Sequence, residues 1–415
     1  MMKKLHMKAL VVPVAAAALV LAGCSGGGNG GGGDTGGGDA ATGEPIKVAA
    51  LASMLYFPEA PPAAQAVFDE YNANGGFNGR PIELDTFDDK ADPAASSTAA
   101  RDALNSGAVA LVGSSSILDC SVNNKTWVDN NIVSIQGVGA DPFCFATPNI
   151  APVDTGPYFN MFASLWNGSE TLGFEKICAF TVSDDAAGRA AVEQARDAWS
   201  DETGKELALW DDSLVRGQSS YAGNVAQINK DKCDSILIGD GGAAASQFLS
   251  EATNQGIDLP VLALTSTYSQ EFVDTLVYAG DVHVPAMFSP WSDPEDPSND
   301  DWRALMEKNN IGLTSFAQGG YLAAKAFIHI LENEMDPDAE ITREAFTEAA
   351  KGMTEGFDTG GMTGDKWMFG PGDSHQANAA AWPLVIEANS GEWTSLGPWF
   401  IGTDNGWVNT TVPSS

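Results

Sequence analysis

Residues 69–84 read DEYNANGGFNGRPIEL, and this block decides how the folded part of the chain is organised. The Asn-Gly-Gly at 74–76 predicts the end of a helix, because glycine and asparagine adopt the left-handed conformation that stops one. The Asn-Gly at 78–79 then predicts a turn into a strand that begins at Pro81. A helix that turns into a buried strand is the unit of an α/β fold. We therefore interpret the block as scaffold and assign it no ligand role.

Strand-like and helix-like stretches alternate on both sides of this block. The predicted strands are Ile46–Ala52, Pro81–Phe87, Ala108–Gly113, Ile132–Gln136, Lys176–Val182, Glu206–Asp211, Ser235–Gly239 and Pro260–Leu264. The predicted helices between and after them include Pro93–Asn105, Val122–Asn130, Ala187–Ser200, Ala222–Lys230, Ala243–Gln255 and Phe316–Glu332. The Asn-Ser-Gly at 389–391 indicates a terminal hairpin. Because the pattern restarts after Phe174, we predict two α/β lobes, each with a parallel, doubly wound sheet.

Length and composition limit the function classes. The chain has 415 residues, of which 44% are apolar, so it can bury a globular core. Its net charge of −34 at pH 7 repels nucleic-acid phosphates, and we expect no nucleic-acid partner. The longest apolar run, residues 9–23, is shorter than the roughly 20 residues that span a bilayer. We therefore do not expect an integral membrane transporter.

The N-terminal region predicts export. Residues 1–23 combine a basic start with an apolar stretch and small residues, as in a signal peptide. The sequence Leu-Ala-Gly-Cys at 21–24 resembles the bacterial lipobox, which implies cleavage before Cys24 and a lipid on Cys24. The glycine-rich segment 24–45 would then be a lipidated tether. A plain signal peptide with an incidental cysteine is the alternative. We expect an extracytoplasmic protein that a lipid anchors to the cell membrane.

The other four cysteines form an even set in an oxidising compartment, which predicts disulfides. They are Cys120, Cys144, Cys178 and Cys233. In a doubly wound sheet of order 2-1-3-4-5, strand 3 neighbours strands 1 and 4. This order predicts the pairs Cys120–Cys144 and Cys178–Cys233. No cysteine or histidine spacing matches a metal site, so we expect no metal.

Three segments resemble one family: the block at 69–84, DDKADP at 88–93 and VALVGS at 109–114. They are similar to the leucine/isoleucine/valine-binding proteins, type I periplasmic binding proteins that capture substrates for ABC importers. The resemblance implies two Rossmann-like lobes joined by a hinge. Lobe 1 would hold residues 46–165 and 287–335, and lobe 2 would hold residues 166–286 and 336–415. It also implies a monomer without enzyme activity or cofactor, whose partners are a small solute and the permease and ATPase subunits.

Ligands of open α/β sheets bind beyond the carboxyl ends of the strands. The candidate ligand-binding residues at these ends are Tyr56, Ser114, Ser115, Ser116, Gln136, Val138, Ala140, Asp141, Asp185, Gly241, Thr267 and Tyr268. By resemblance, the family holds an amino acid with a serine of the second loop, a threonine of the third, and an aromatic residue and an acid of lobe 2. Here Ala140 stands near the place of that threonine, and Ala187 near the place of the usual tyrosine. Both departures remove a polar or aromatic anchor that the family uses to hold an amino acid.

Asp141 narrows the solute further, because a buried carboxylate needs a partner. If it lines the site, it favours an amine- or amide-bearing solute over a dicarboxylate. We therefore expect capture of a small nitrogenous solute, a branched-chain amino acid or a related amide, for an ABC importer. A ligand-sensing receptor subunit is the alternative, and an exported hydrolase is a weaker one because no catalytic motif is present.

One further motif, GDGGAA at 239–244, matches a dinucleotide fingerprint. It follows the third strand of its lobe rather than the first, and Asp240 would repel a pyrophosphate. We prefer to interpret it as a glycine-rich strand end whose N–H groups face a small ligand at a helix N-terminus.

Overall fold

The structure is a computed structural model that describes residues 40–182, 185–336, 339–372, 375–376 and 378–401. The predicted signal peptide, Cys24 and most of the predicted tether lie outside these residues, as do Ser183 and Asp184. Within this part of the chain, no helix has the length and apolar composition needed to cross a membrane.

The first sheet has five parallel strands in the order β2-β1-β3-β4-β5, which confirms the predicted order 2-1-3-4-5. Its strands are β1 (Ile46–Ala52), β2 (Ile82–Asp88), β3 (Leu111–Ser114), β4 (Ser134–Gln136) and β5 (Ile150–Pro152). Along the central strand β1, every residue except Lys47 is buried. This continuous apolar run is typical of a parallel strand that helices cover on both faces.

Four helices follow the strands of this sheet: α1 (Ala60–Ala73), α2 (Pro93–Asn105), α3 (Asp119–Asp129) and α4 (Pro142–Phe145). The Asp92 carboxylate accepts a hydrogen bond from the Ala95 N–H, and Pro93 fills the first turn, so α2 begins as its sequence predicts. Helix α1 ends directly before Asn74, and Gly76 has a φ of +59°. A side chain at Gly76 would collide with the backbone of Arg80, so this turn requires glycine.

The second sheet has eight strands in the order β12-β11-β10-β9-β8-β6-β7, with β13 paired to β11. They are β6 (Ile177–Val182), β7 (Leu209–Leu214), β8 (Ser235–Gly239), β9 (Val261–Ala263), β10 (Val282–Ala286), β11 (Ala380–Ile386), β12 (Thr394–Ser395) and β13 (Phe400–Ile401). Strands β6–β10 are parallel and repeat the order of the first sheet. Strands β11 and β12 form the predicted antiparallel hairpin around Asn389.

The helices of the second lobe are α5 (Gly156–Trp166), α6 (Ala186–Thr203), α7 (Ala222–Val225), α8 (Gly242–Asn254) and α9 (Gln270–Thr275). Two expectations differ from what is observed. The helix expected at Ala222–Lys230 ends at Val225, and the strand expected at Glu206–Asp211 lies at Leu209–Leu214. Of the residues in β7, only Asp211 and Leu214 are buried. Buried and exposed positions do not alternate regularly along this strand, so the sequence is a weak guide to its bounds.

Two helices lie on the other lobe from the one expected. Helix α5, expected in lobe 1, packs on α6 and the second sheet, where its apolar residues join a core that includes Ile177 and Leu262. Three more helices follow: α10 (Asp300–Lys308), α11 (Ser315–His329) and α12 (Arg343–Gly352). Helix α12 was expected in lobe 2. It packs on lobe 1 instead, and its Thr347 hydroxyl donates to the Asn131 carbonyl at 2.9 Å. The rest of the expected division stays a proposal.

Both predicted disulfides are confirmed. Cys120 in α3 pairs with Cys144 in α4, with their Cα atoms 5.0 Å apart. Cys178 in β6 pairs with Cys233, just before the neighbouring strand β8, at 5.7 Å. Each disulfide lies within one lobe, so neither restrains the lobes relative to each other.

Candidate functional site

The candidate site is built from loops at the carboxyl ends of both sheets. The loops after β1, β3 and β4 come from lobe 1, and those after β6, β8 and β9 come from lobe 2. Helix α4 of lobe 1 contacts α6 of lobe 2. Burial raises the pKa of Glu59, at the start of α1, and the like charge of Glu271 in α9 also raises it. The two sets of loops therefore lie next to each other.

Two of the three consecutive serines build the lobe 1 loop itself. The Ser114 hydroxyl accepts a hydrogen bond from the Leu51 N–H at 3.1 Å. The Ser116 hydroxyl donates to the buried Asp89 carboxylate and accepts from the Asp119 N–H at 2.8 Å. Asp89 also accepts from the Ser53 hydroxyl at 2.7 Å. Ser114 and Ser116 thus have partners without a solute.

Ser115 differs from both neighbours. Its backbone bridges to β1, with its N–H donating to the Leu51 carbonyl at 2.8 Å and its carbonyl accepting from the Ser53 N–H at 3.1 Å. Its hydroxyl is buried, and it has no hydrogen-bond partner among the residues that the structure describes. A buried hydroxyl without a partner costs free energy, so this oxygen is the strongest candidate on lobe 1 for contact with a solute.

Gln136 belongs to a buried network around Asp119, which sequence reasoning missed. The Gln136 amide donates to the Asp119 carboxylate at 3.0 Å and to the Ser134 hydroxyl at 2.9 Å. Asp119 also accepts from Asn123 at 3.0 Å and from the Trp127 indole at 3.1 Å. Burial raises the pKa of Asp119 to about 6. The network holds β4 against α3 and positions the loop that follows β4.

The loop after β4 contains Val138, Ala140 and Asp141. Val138 is buried, and Asp141 begins helix α4, where its carboxylate accepts from the Phe143 N–H at 2.8 Å. Its other oxygen accepts from the Ser121 N–H of α3 at 3.0 Å. Burial raises the pKa of Asp141 to about 7. These bonds join two helices beside the Cys120–Cys144 disulfide, so they account for Asp141 as a cap without a solute.

In lobe 2, Asp185 and Gly241 lie at helix starts. The Asp185 carboxylate accepts from the Gly188 N–H at 2.7 Å and begins α6. Gly241 precedes α8, and the Asp240 carboxylate accepts from its N–H at 2.7 Å. The same carboxylate lies 3.7 Å from the Arg216 guanidinium. A carboxylate therefore occupies the position at α8 that a dinucleotide phosphate would need.

The loop after β9 contains Thr267 and Tyr268. The Thr267 hydroxyl donates to the Leu264 carbonyl at 2.8 Å. Tyr268 is only 2% exposed, and its hydroxyl pairs with the Ser292 hydroxyl at 2.8 Å while its ring stacks on Trp291 at 4.5 Å. Tyr56, the other aromatic candidate, is 39% exposed after β1. Tyr268 is thus packed inside the molecule, whereas Tyr56 is available at the surface.

Two buried groups near this loop are not among the candidate residues predicted from the sequence. The Thr265 hydroxyl and the Trp291 indole N–H are both buried and have no hydrogen-bond partner within the described ranges. Thr265 directly follows β9, at the carboxyl edge where the candidate loops gather. The rule that ligands bind at strand ends places Thr265 in a candidate loop, but nothing in the sequence indicates that its hydroxyl stays unpaired.

Three crossover segments join the lobes, and one amide side chain connects them. The Asn378 amide donates to the Met287 carbonyl at 2.9 Å and to the Val153 carbonyl at 3.4 Å. Next to it, the Gln376 amide donates to the Thr155 carbonyl at 3.0 Å. These carbonyls belong to the first and second crossovers, while Gln376 and Asn378 belong to the third. At this hinge, hydrogen bonds join the three crossover segments to one another.

Among the residues that the structure describes, one group of side chains has metal-ligand types close together: the sulfurs of Cys120 and Cys144 and the Asp141 carboxylate. Both sulfurs form the disulfide, so they are not available as thiolate ligands. His283 is buried beside Phe174, and burial lowers its pKa. This environment favours a neutral core histidine.

Comparison with known proteins gives one family match. Residues 52–391 match the family described as periplasmic binding protein. A search of curated proteins finds no match.

Solved structures show the same fold. A leucine-binding protein from Thermotoga maritima is 14% identical, with a TM-score of 0.69 over 87% of this chain and 99% of that one. A fatty acid ABC transporter substrate-binding protein from Thermomonospora curvata is 20% identical, with a TM-score of 0.70 over 88% and 95%. A branched-chain amino acid transporter substrate-binding protein from Streptococcus pneumoniae, solved with isoleucine, is 18% identical, with a TM-score of 0.68 over 85% and 98%.

Proposed function

Because the chain belongs to the periplasmic binding protein family, we propose that it captures a small nitrogenous solute between its two lobes for an ABC importer. One observation carries this proposal: at the carboxyl edge of its sheet, each lobe has a buried hydroxyl that no described residue pairs with, Ser115 in lobe 1 and Thr265 in lobe 2. A hydroxyl can donate one hydrogen bond and accept others. A solute that contacts both would satisfy two desolvated groups and hold the lobes together.

The solute class follows from the charges around the site. Asp119 and Asp240 are buried at the candidate loops and Asp141 is half-buried there, and burial raises the pKa values of Asp119 and Asp141. Two basic groups of lobe 2 already lie beside acids: Arg216 beside Asp240, and Arg189 of α6 beside Asp212. A dicarboxylate would add like charge to this surface. We therefore favour an amine- or amide-bearing solute, a branched-chain amino acid or a related amide.

Binding would work by hinge closure rather than by chemistry. The crossovers around Asn378 allow one lobe to rotate toward the other, and a solute with contacts to both lobes favours the closed state. The chain is then a binding protein and not an enzyme, with no cofactor. Its place would be outside the cytoplasm, with Cys24 as the lipid attachment point and a permease and ATPase as partners. We propose that it acts as a monomer.

A thermal-shift screen tests the solute class. We expect stabilisation by an amino acid or amide from a panel that also contains urea, polyamines, fatty acids, sugars and dicarboxylates. A solute at 100 times its Kd stabilises the folded state by about 2.7 kcal/mol, which is readily measured. The Ser115→Ala variant should lose the shift, and Ser390→Ala, in the exposed hairpin turn, is the matched control. A shift with a sugar, fatty acid or dicarboxylate alone would overturn the proposal.

A further inference from the structure

A groove on lobe 1, here called the lobe 1 groove, lies between α1, α10 and α11. It consists of two cavities of about 290 and 350 Å³ that share Glu70 of α1 and Lys325 of α11. Ligand pockets commonly measure about 300–1,000 Å³, so these volumes suit a solute of amino-acid size. Glu70 lies roughly 16 Å along α1 from Glu59, at a rise of about 1.5 Å per residue. The lobe 1 groove is therefore separate from the candidate solute loops.

Tyr321 of α11 presents a hydroxyl group that has no protein partner within the described ranges. The residue is 7% exposed, and it lines the first cavity. Burial, followed by the charges of Asp301 and Glu70, raises the pKa of Tyr321 to about 12. The phenol therefore keeps its proton at neutral pH and can donate a hydrogen bond into the cavity.

The first cavity also contains charged groups of both signs. The half-buried Lys325 has its ammonium 5.3 Å from the centre of the Tyr321 ring, and it forms no ion pair with a described residue. The Glu70 carboxylate lies 3.9 Å from the Lys308 ammonium, and Asp301 lines the same cavity. An ammonium and a phenol can hold a carboxylate, whereas the two acids can hold an ammonium. This arrangement complements a molecule that carries both charges.

The second cavity adds apolar surface. Val67, Ile328 and Phe357 line it. On the same walls, the Tyr71 hydroxyl already donates to the Glu332 carboxylate at 2.7 Å. This cavity therefore suits an apolar side chain rather than a second charged group.

We propose that the lobe 1 groove binds a neutral α-amino acid as its zwitterion, with the carboxylate at Lys325, the ammonium at Asp301 and the side chain in the second cavity. A solute with one charge would satisfy only half of these groups. In a chain of net charge −34, a simple anion is disfavoured further. All of these groups belong to lobe 1, so binding here requires no movement of the hinge and does not depend on the proposed function.

Fluorine NMR of the protein labelled with meta-fluorotyrosine tests this site, because the chain has seven tyrosines and Tyr321→Phe assigns the Tyr321 signal. We expect leucine at pH 7 to shift that signal in a saturable way. Leucinamide, a cation, and isocaproate, an anion, have the same side chain, and both should bind at least tenfold more weakly. The signals of Tyr56 and Tyr268 report separately on the candidate solute loops.

Two variants test the charged groups. Lys325→Ala and Asp301→Asn should each weaken the response of the Tyr321 signal to leucine at least tenfold. Lys232→Ala removes an exposed lysine of lobe 2, and as the matched control it should bind like the wild type. Circular dichroism confirms that the compared samples are folded.

A Tyr321 signal that leucine does not shift would overturn the inference. So would equal responses to the three compounds, or a leucine response that is unchanged in a folded Lys325→Ala or Asp301→Asn variant. If Lys325→Ala does not fold, Asp301→Asn decides. Failure of solute capture between the lobes would appear at Tyr56 and Tyr268, so it is distinguishable from failure at Tyr321.

Discussion

Neighbouring serines in the chain have opposite roles, which depend on partners far away in the sequence. The Ser116 hydroxyl bonds to Asp89 and to two backbone N–H groups, whereas the Ser115 hydroxyl has no partner within the described part of the chain. We expect Ser116→Ala to lower the free energy of unfolding by about 1–3 kcal/mol, because buried polar groups lose their partner.

Ser115→Ala should leave the free energy of unfolding unchanged or slightly higher, because it removes an unpaired buried hydroxyl. Urea denaturation of the two variants beside the wild type measures the difference. Equal losses of stability in both would show that Ser115 has a structural partner and would remove it from the candidate site.

Two buried carboxyl groups and one half-buried carboxyl group determine how stability changes with pH. Burial raises the pKa values of Asp119, Asp141 and Asp154 to about 6, 7 and 8, above the unfolded value of about 3.9. Between the unfolded and folded pKa values, the folded state binds more protons than the unfolded state. The free energy of unfolding therefore falls as pH rises through this window, from about pH 4 to about pH 8.

We thus expect the protein to be more stable at pH 5 than at pH 8 in urea denaturation. The large negative net charge acts in the same direction, so a matched pair of variants is needed. Asp154→Asn should flatten the pH dependence, whereas the exposed change Asp231→Asn should leave it nearly unaltered. Stability that increases from pH 5 to pH 8 in the wild type would contradict the assignment of these pKa shifts.

At the scale of the elements, two parallel α/β sheets could be predicted from the sequence because strand-like and helix-like stretches alternate along it. The order 2-1-3-4-5 is taken from one common doubly wound fold, and both disulfides follow from that order. The placement of α5 and α12 could not be predicted in this way. Nearly all of α5 is apolar and buried, so its sequence indicates burial without indicating which sheet covers it. Nothing in the sequence around Thr347 indicates that its hydroxyl joins α12 to lobe 1.

The candidate site shows the same limit. Strand ends identified the right loops, but which hydroxyl is free depends on contacts between loops. Asp89 lies 27 residues before Ser116, and no local pattern connects them. Asp141 was expected to face a solute, yet its two oxygens accept from the backbone of α3 and α4.

The disulfides give a test at the scale of the elements. They enclose 24 and 55 residues, and the chain-entropy argument assigns about 3 and about 4 kcal/mol to loops of these lengths. We expect Cys178→Ala with Cys233→Ala to lower the free energy of unfolding more than Cys120→Ala with Cys144→Ala. Denaturation of the two double variants under identical conditions compares them. A larger loss in the second variant would show that the α3–α4 contact around Asp141 depends on its disulfide.

At the scale of the whole molecule, two lobes with separate sheets meet at loops that contain buried polar groups. The hinge is defined by short-range hydrogen bonds of Asn378 and Gln376, and the disulfides stay within the lobes. We propose that each lobe remains rigid while the angle between the lobes changes. A solute that bonds to Ser115 and Thr265 would couple that angle to binding.

Titration calorimetry with leucine and leucinamide at pH 6.5 tests this central claim most directly. We predict saturable binding of one solute per chain with at least one of the two compounds. The double variant Ser115→Ala, Thr265→Val should weaken it at least tenfold, while Ser390→Ala binds like the wild type. Saturable binding that is unchanged in the double variant, or binding of succinate or glucose with no heat from either nitrogenous compound, would contradict the account.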